Sequence, residues 1–157
     1  MNRKAFKIVS CGQTGADRAA LDWAIERGVP HGGWCPKGRK AEDGRIDPRY
    51  NMKETPSGGY EQRTEWNVSD SHGTLVISIV ALLTGGSEKT VALARKHYKP
   101  LLQLSREGGP PAAEQKLLRF IREHQIKILN VAGPRASEEP EVAAFVKQVL
   151  DRAWPAK

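Results

Sequence analysis

Three glycine-containing segments carry hydroxyl and charged side chains in a spacing that suits a phosphate group. They span residues 12–18, 84–90 and 133–137, and each follows a predicted strand. Glycine lets the backbone approach a ligand closely, and the N-terminus of a helix offers free N–H groups and a partial positive charge. Together the three segments predict a site for a phosphorylated ligand. We expect the ligand to contact Gly12, Gln13, Thr14, Gly15, Asp17, Arg18, Thr84, Gly85, Gly86, Ser87, Thr90, Gly133, Arg135 and Ser137.

Simpler interpretations of two of these segments stay open. The first has neither the GxGxxG pattern of dinucleotide-binding proteins nor the GK[ST] of a P-loop, so ATP hydrolysis of the P-loop kind is not expected. It could be a plain tight turn in which Thr14 caps the next helix. Ser137 could likewise be only a helix cap.

The segment 31–60 could supply further cations to the ligand. It is rich in glycine, proline and charge and has weak periodicity, so it is predicted to be irregular and either functional or disordered. Lys37 and Arg39 flank Gly38, an arrangement that suits a mobile phosphate clamp. The other basic residues of the segment fit a solvated charged loop better.

A last group of candidate residues precedes a strand that is predicted to be buried. Arg63 could pair with a phosphate, or only with a neighbouring carboxylate, Glu65 or Asp70. Trp66, or alternatively Trp34, could stack on a ring of the ligand. We expect Asn67 to belong to the same part of the site.

Composition limits the classes of protein to which the chain can belong. Its 157 residues are the length of one domain, so we expect a single ligand-binding domain over residues 1–157. The longest apolar stretch, residues 75–83, is far shorter than the ~20 residues that a transmembrane helix requires. The N-terminus shows no signal-peptide core, and we expect a cytoplasmic protein without membrane association.

The charge of the chain favours an anionic partner. Lys and Arg number 25 against 18 Asp and Glu, a formal net charge of +7. Such an excess suits a phosphorylated small molecule or a nucleic acid, although it could also only aid solubility. No motif of the known nucleic-acid-binding modules is present, so we favour the small molecule.

Hydrophobic periodicity predicts alternating strands and helices, which together position the loops described above. The chain is therefore expected to be an α/β protein, a Rossmann-like three-layer sandwich with a mostly parallel sheet. The clearest helix has apolar residues at the spacing of one helical face, from Val142 to Ala153. A further helix should carry Pro110 and Pro111 in its first turn. Strands are predicted at 6–11, 75–80, 100–104 and 127–132, and helices at 16–27, 87–97, around 117–121 and at 142–153.

The cysteine and histidine residues do not predict a metal site. Cys11 and Cys35 form no CxxC motif and are expected to be free thiols at strand ends. The four histidines have no metal-ligand spacing with them, so we expect no metal bound by protein side chains.

Five stretches of the sequence resemble one known family. They read SCGQTGADRAALDWAI (10–25), WCPKGRKAEDGRI (34–46), RTEWNVSDSHGTLVI (63–77), LTGGSEKT (83–90) and NVAGPRAS (130–137). In this order they are similar to the putative molybdenum carrier family, which comprises circularly permuted YpsA-like proteins of the SLOG superfamily. The resemblance implies a Rossmann-like fold that binds molybdenum cofactor (molybdopterin, a phosphorylated pterin) or another nucleotide-like ligand.

The same resemblance raises an alternative function and an assembly. Superfamily relatives include phosphoribohydrolases, whose catalytic Arg precedes the buried strand, as Arg63 does here. Their glycine motif PGGxGTxxE ends in a catalytic Glu, whereas this chain has Leu93 at that position. The resemblance thus favours a carrier over a hydrolase; if the protein is an enzyme, Arg63 and Glu65 would act as the catalytic pair. Relatives usually associate, so a homo-oligomer is expected.

Overall fold

The fold is a parallel sheet covered by helices on both faces. The computed structural model describes residues 5–107 and 112–156. In chain order the elements are β1 (Lys7–Val9), α1 (Ala16–Arg27), β2 (His31–Gly32), β3 (Trp34–Cys35), β4 (Lys40–Ala41), β5 (Gly44–Arg45), β6 (Lys53–Glu54), α2 (Tyr60–Asp70), β7 (Gly73–Ser78), α3 (Gly85–Lys96), β8 (Leu101–Ser105), α4 (Ala113–Glu123), β9 (Ile128–Ala132) and α5 (Val142–Ala153). Five strands form the central sheet in the order β2-β1-β9-β7-β8, and all of its pairs are parallel. The predicted fold class is confirmed.

Strand β7, which lies between β9 and β8, shows how the two faces of one sheet pack against two cores. All six of its residues are buried. Successive side chains of a strand point to opposite faces. Leu75 and Ile77 therefore join the large core under α1, α4 and α5, whereas Val76 packs with Val91 of α3 on the other face. Three layers result, with α2 and α3 forming the layer opposite α1, α4 and α5.

Two helices match their sequence prediction residue for residue. Helix α1 ends at Gly28, whose left-handed conformation (φ 65°, ψ 29°) directs its N–H to the carbonyl groups of Ala24 and Ile25. Helix α5 buries the whole predicted apolar stripe. Pro110 and Pro111, which were predicted in the first turn of a helix, lie outside the described residues, and that helix runs over Ala113–Glu123.

The strand predicted at 75–80 is shifted in the structure, where it runs over Gly73–Ser78. Beyond Ser78 the carboxylate of Glu139 accepts hydrogen bonds from the backbone N–H groups of Ile79 and Val80, at 2.7 and 3.1 Å. These two N–H groups are therefore satisfied by a side chain and not by a neighbouring strand.

Helix α2 was not predicted from the sequence. Its buried residues are Arg63, Thr64, Asn67 and Val68, three of which are polar. A helix with a polar buried face has no apolar stripe, and that stripe is the pattern on which a sequence prediction of a helix depends.

The segment predicted to be irregular contains short strands. It forms a parallel pair, β3 with β6, and an antiparallel hairpin, β4 with β5. A small core of Cys35, Ile46, Tyr50 and Met52 holds the segment against Leu21 of α1. No helix among residues 5–107 and 112–156 is long and apolar enough to cross a membrane.

Candidate functional site

A cleft of about 610 Å³ lies beyond the carboxyl ends of the central strands. Its walls are the loops after β1 and β9, the first turns of α3, and one face of α2. Ligands of open parallel sheets bind at this edge, and the volume lies in the range of small-molecule sites. The predicted residues that line the cleft are Gln13, Asp17, Arg63, Gly85, Gly86, Ser87, Thr90, Gly133 and Arg135.

Four polar atoms of the cleft lining are buried and have no hydrogen-bond partner within the described part of the chain. They are Gln13 Nε2, Asp17 Oδ1, Arg63 Nε and Ser87 Oγ. Each belongs to a side chain that is more than nine-tenths buried. An unsatisfied buried polar group costs about 1–3 kcal/mol, so a ligand that pairs with these atoms would gain that free energy.

Asp17 and Arg63 meet at the cleft. The Nη1 atom of Arg63 lies 3.9 Å from Oδ2 of Asp17. Burial raises the pKa of Asp17 to about 7, although Arg63, Arg18 and the backbone N–H groups of Gln13 and Gly133 act in the opposite direction. A carboxyl group that titrates near neutral pH therefore lies beside a buried arginine.

The glycines of the predicted loops divide into two kinds. A Cβ at Gly15 would lie 2.4 Å from the carbonyl oxygen of Pro134, and one at Gly133 would lie 2.2 Å from that of Ile77. These two glycines are required for the packing of the loops against their surroundings. A Cβ at Gly86, by contrast, would meet nothing within 4 Å. The fold does not require glycine at this position, and the space in front of Gly86 is open to a ligand.

The first turn of α3 provides hydrogen-bond donors to the cleft. Thr84 is the N-cap residue but makes no side-chain capping bond, and the first backbone N–H groups of any helix have no partner inside it. Ser87 adds its hydroxyl to this turn. The hydroxyl of Thr90 instead donates to the carbonyl oxygen of Gly86 at 2.9 Å.

Thr14 and Ser137 lie outside the cleft lining and bind the β4–β5 hairpin. Both hydroxyls donate to the carboxylate of Glu42, that of Ser137 at 2.6 Å, and these bonds lower the pKa of Glu42. Arg18 binds the neighbouring Asp43 and donates to the carbonyl oxygen of Gly12 at 2.9 Å. The hairpin is thereby fastened to the loops after β1 and β9.

The predicted clamp residues are also placed away from the cleft. Arg39 is buried, and its guanidinium donates to the carbonyl oxygens of Ile46, Asp47 and Tyr50 at 2.9–3.0 Å. The backbone N–H of Gly38 donates to Glu54 at 2.6 Å. Lys37 is exposed and does not line the cleft. In this structure Arg39 holds its own segment together.

The two tryptophans proposed for stacking pack on each other. The rings of Trp34 and Trp66 are 4.7 Å apart in an edge-to-face arrangement. Asn67 holds the backbone of Trp34 through both its N–H and its carbonyl group, at 2.8 and 2.9 Å. The aromatic side chain that lines the cleft is Tyr60, whose ring lies 4.8 Å from the guanidinium carbon of Arg63.

Glu65 does not lie beside Arg63. Residues two apart on a helix point in different directions. Glu65 instead binds Nε2 of His97 at 2.9 Å and Lys96 at 3.4 Å. The carboxylate that accompanies Arg63 at the cleft is that of Asp17.

Sequence reasoning missed several residues of the cleft. Tyr60, Glu61 and Thr64 are on α2, and a prediction of that helix would have placed Tyr60 beside Arg63, three residues away, and Thr64 beside Tyr60 and Glu61. Glu88 and Lys89 directly follow predicted residues, and Glu138 lies one residue beyond the third glycine segment. Among the residues that the structure describes, no group of three or more His, Cys, Asp or Glu side chains could hold a metal ion.

Comparison with known proteins agrees with this architecture. The family described as the Circularly permutated YpsA SLOG family matches residues 8–154. The crystal structure of a protein named "Putative molybdenum carrier protein", from Syntrophus aciditrophicus SB, is 44% identical in sequence and has a TM-score of 0.89; the match covers 98% of this chain and 97% of that one. No curated protein matches the chain. The family match spans nearly all of the chain, and the chain therefore belongs to the circularly permuted YpsA family of the SLOG superfamily.

Proposed function

We propose that this protein is a carrier that binds molybdenum cofactor, or another phosphorylated nucleotide-like ligand, in the cleft at the N-terminus of α3. The observation that carries the proposal is the group of four buried, unpartnered polar atoms in the cleft lining. Three of them, on Gln13, Arg63 and Ser87, can donate hydrogen bonds to phosphate oxygens. The name of the similar protein from Syntrophus aciditrophicus SB supports the role of carrier and the nature of the cargo.

Each wall of the cleft would contribute a different contact to the ligand. The free N–H groups of the first turn of α3, with the hydroxyl of Ser87, suit the phosphate. Arg63 adds a charge-assisted hydrogen bond to it. Tyr60 is half-exposed at the same cleft and offers an aromatic face to the ring of a pterin or a base.

Binding fits the site better than the enzymatic alternative. The phosphoribohydrolase hypothesis requires Arg63 and Glu65 to act together, and Glu65 is bound to His97 and Lys96. Leu93 stands where the relatives have their catalytic Glu. Both observations support a protein that holds its ligand without cleaving it.

Native mass spectrometry of the protein, purified from cells that make molybdenum cofactor, tests the proposal directly. We expect a bound phosphorylated organic molecule, which is lost from Arg63→Ala. In calorimetric titrations with AMP and GMP, Arg63→Lys should weaken binding by about tenfold, since Lys keeps the charge and loses the fork of donors.

Glu65→Gln is the matched control because it changes a carboxylate of α2 outside the cleft. It should leave the affinity for AMP and GMP unchanged. Release of free base from a nucleoside monophosphate by the wild type, abolished in Glu65→Gln, would contradict the carrier function and establish the enzyme. Association into a homo-oligomer and a cytoplasmic location stay predictions from the sequence.

A further inference from the structure

The carboxyl group of Asp17 is buried at a cleft where the other buried, unpartnered polar atoms can donate hydrogen bonds. Its side chain is 4% exposed, and Oδ1 has no partner among the described residues. The groups that face it are the guanidinium of Arg63 from α2, that of Arg18 from its own helix, and the N–H groups of Gln13 and Gly133 from the two adjoining loops. The carboxyl group of Asp17 thus lies at the place where, under the proposed function, the phosphate of the ligand would bind.

An ionised Asp17 and a bound anion would compete for the same cation. Arg63 lines the cleft and its Nη1 lies 3.9 Å from Oδ2 of Asp17, while its Nε has no partner among the described residues. Two negative charges that share one arginine in a poorly solvated site repel each other strongly. Protonation of Asp17 removes this repulsion and leaves Arg63 to the anion.

Protonation of this carboxyl group is accessible near neutral pH. Burial raises the pKa of Asp17 to about 7 in the unliganded protein, and an anion beside it would raise the pKa further. A protonated Asp17 can also donate from its carboxyl O–H to an oxygen atom of the ligand.

Resting on the proposed function, we propose that an anion enters this cleft together with one proton, which is taken from solvent onto the carboxylate of Asp17. The protein then binds its phosphorylated ligand more tightly as the pH falls. Uptake and release of the ligand are coupled to pH through a single side chain.

The test uses inorganic sulfate, because sulfate keeps its charge throughout the relevant pH range and leaves Asp17 to account for any coupling. Calorimetric titration at pH 7.5 in two buffers of different ionisation enthalpy counts the protons bound. Because Asp17 is about one quarter protonated at this pH before sulfate binds, we expect an uptake of roughly 0.5–0.8 proton per sulfate. The affinity should fall by up to about tenfold per pH unit between about pH 7 and 9 and should level off below about pH 6.

Asp17→Asn assigns the proton to this residue. Asn is neutral, like the protonated acid, so the variant should bind sulfate without proton uptake and with an affinity that is independent of pH. The control is Asp70→Asn, which alters a carboxylate of α2 that accepts a hydrogen bond from the indole of Trp34 outside the cleft. It should keep the proton uptake and the pH dependence of the wild type.

The outcomes separate this inference from the proposed function. Asp17→Asn loses the ion pair with Arg63 and could therefore fail to fold. In that case the number of protons taken up by the wild type on binding sulfate tests the coupling without the variant. Release of a proton, or binding that does not vary with pH, would overturn the coupling and leave the carrier function standing. If neither sulfate nor AMP binds at any pH, both proposals fail.

Discussion

Replacement of Gly86 by valine should abolish ligand binding and leave the fold intact. Gly86 is in the first turn of α3, and a Cβ built there meets no atom within 4 Å. Because valine has a somewhat higher helix propensity than glycine, the free energy of unfolding should change by less than about 0.5 kcal/mol. The added methyl groups would occupy the space through which the ligand reaches the N–H groups of this turn.

The expected loss of affinity follows from the hydrogen bonds that the side chain would block. A hydrogen bond to a charged group contributes about 1.5–3 kcal/mol, so the loss of two weakens binding by about 3–6 kcal/mol. That corresponds to at least about a hundredfold increase in Kd, since each 1.4 kcal/mol is about tenfold. Calorimetric titration with AMP measures the affinity, and a thermal melt measures the stability.

Gly133→Ala provides the comparison that makes this experiment specific. A Cβ at Gly133 would lie 2.2 Å from the carbonyl oxygen of Ile77 and 2.6 Å from Cβ of Ala16, so alanine should destabilise the fold by about 1–3 kcal/mol or more. Gly86→Val should thus lose ligand binding while its Tm stays unchanged, whereas Gly133→Ala should have a lowered Tm. An affinity of Gly86→Val within threefold of the wild type would refute the reasoning about the α3 turn.

Two further predictions concern the stability of the fold. Phe145 is 8% exposed in the middle of α5, and Phe145→Ala should lower the free energy of unfolding by about 3–5 kcal/mol; an unchanged Tm would contradict the packing of α5 on the sheet. The pKa of Asp17 is raised from 3.8 to about 7, so between these pH values the folded protein holds a proton that the unfolded chain has released. Stability should therefore fall by roughly 4 kcal/mol as the pH rises through this window, and denaturant titrations should show this slope in the wild type and not in Asp17→Asn.

The glycine pattern illustrates how far a local pattern can be interpreted. The sequence correctly predicts glycine-containing loops after the strands, and the structure gathers many of their residues around one cleft. The sequence does not show which glycines are required by close packing, as Gly15 and Gly133 are, and which face open space, as Gly86 does. The difference depends on the atoms of distant segments that come close to each Cα, and no local pattern encodes these atoms.

The sequence by itself determined the elements whose signals are local. The apolar stripe of α5 and the left-handed Gly28 at the end of α1 depend on residues within a few positions of one another, and both match the structure. The run of apolar residues and serine at 75–80, which lacks alternation, likewise identified a buried strand, although β7 is shifted to Gly73–Ser78. Periodicity and capping are properties of a short stretch of chain, so they can be deduced before the tertiary structure is known.

Only the tertiary structure decided the partners of the charged side chains. It placed Asp17 beside Arg63, turned Glu65 toward His97, and surrounded Arg39 with backbone carbonyl groups. It also made α2 a helix whose buried face is mostly polar, since Arg63 and Thr64 line the cleft and Asn67 binds the backbone of Trp34. The physical reason is that a buried polar group is satisfied by whichever partner packing brings within hydrogen-bond distance, and that partner is commonly far away in the sequence.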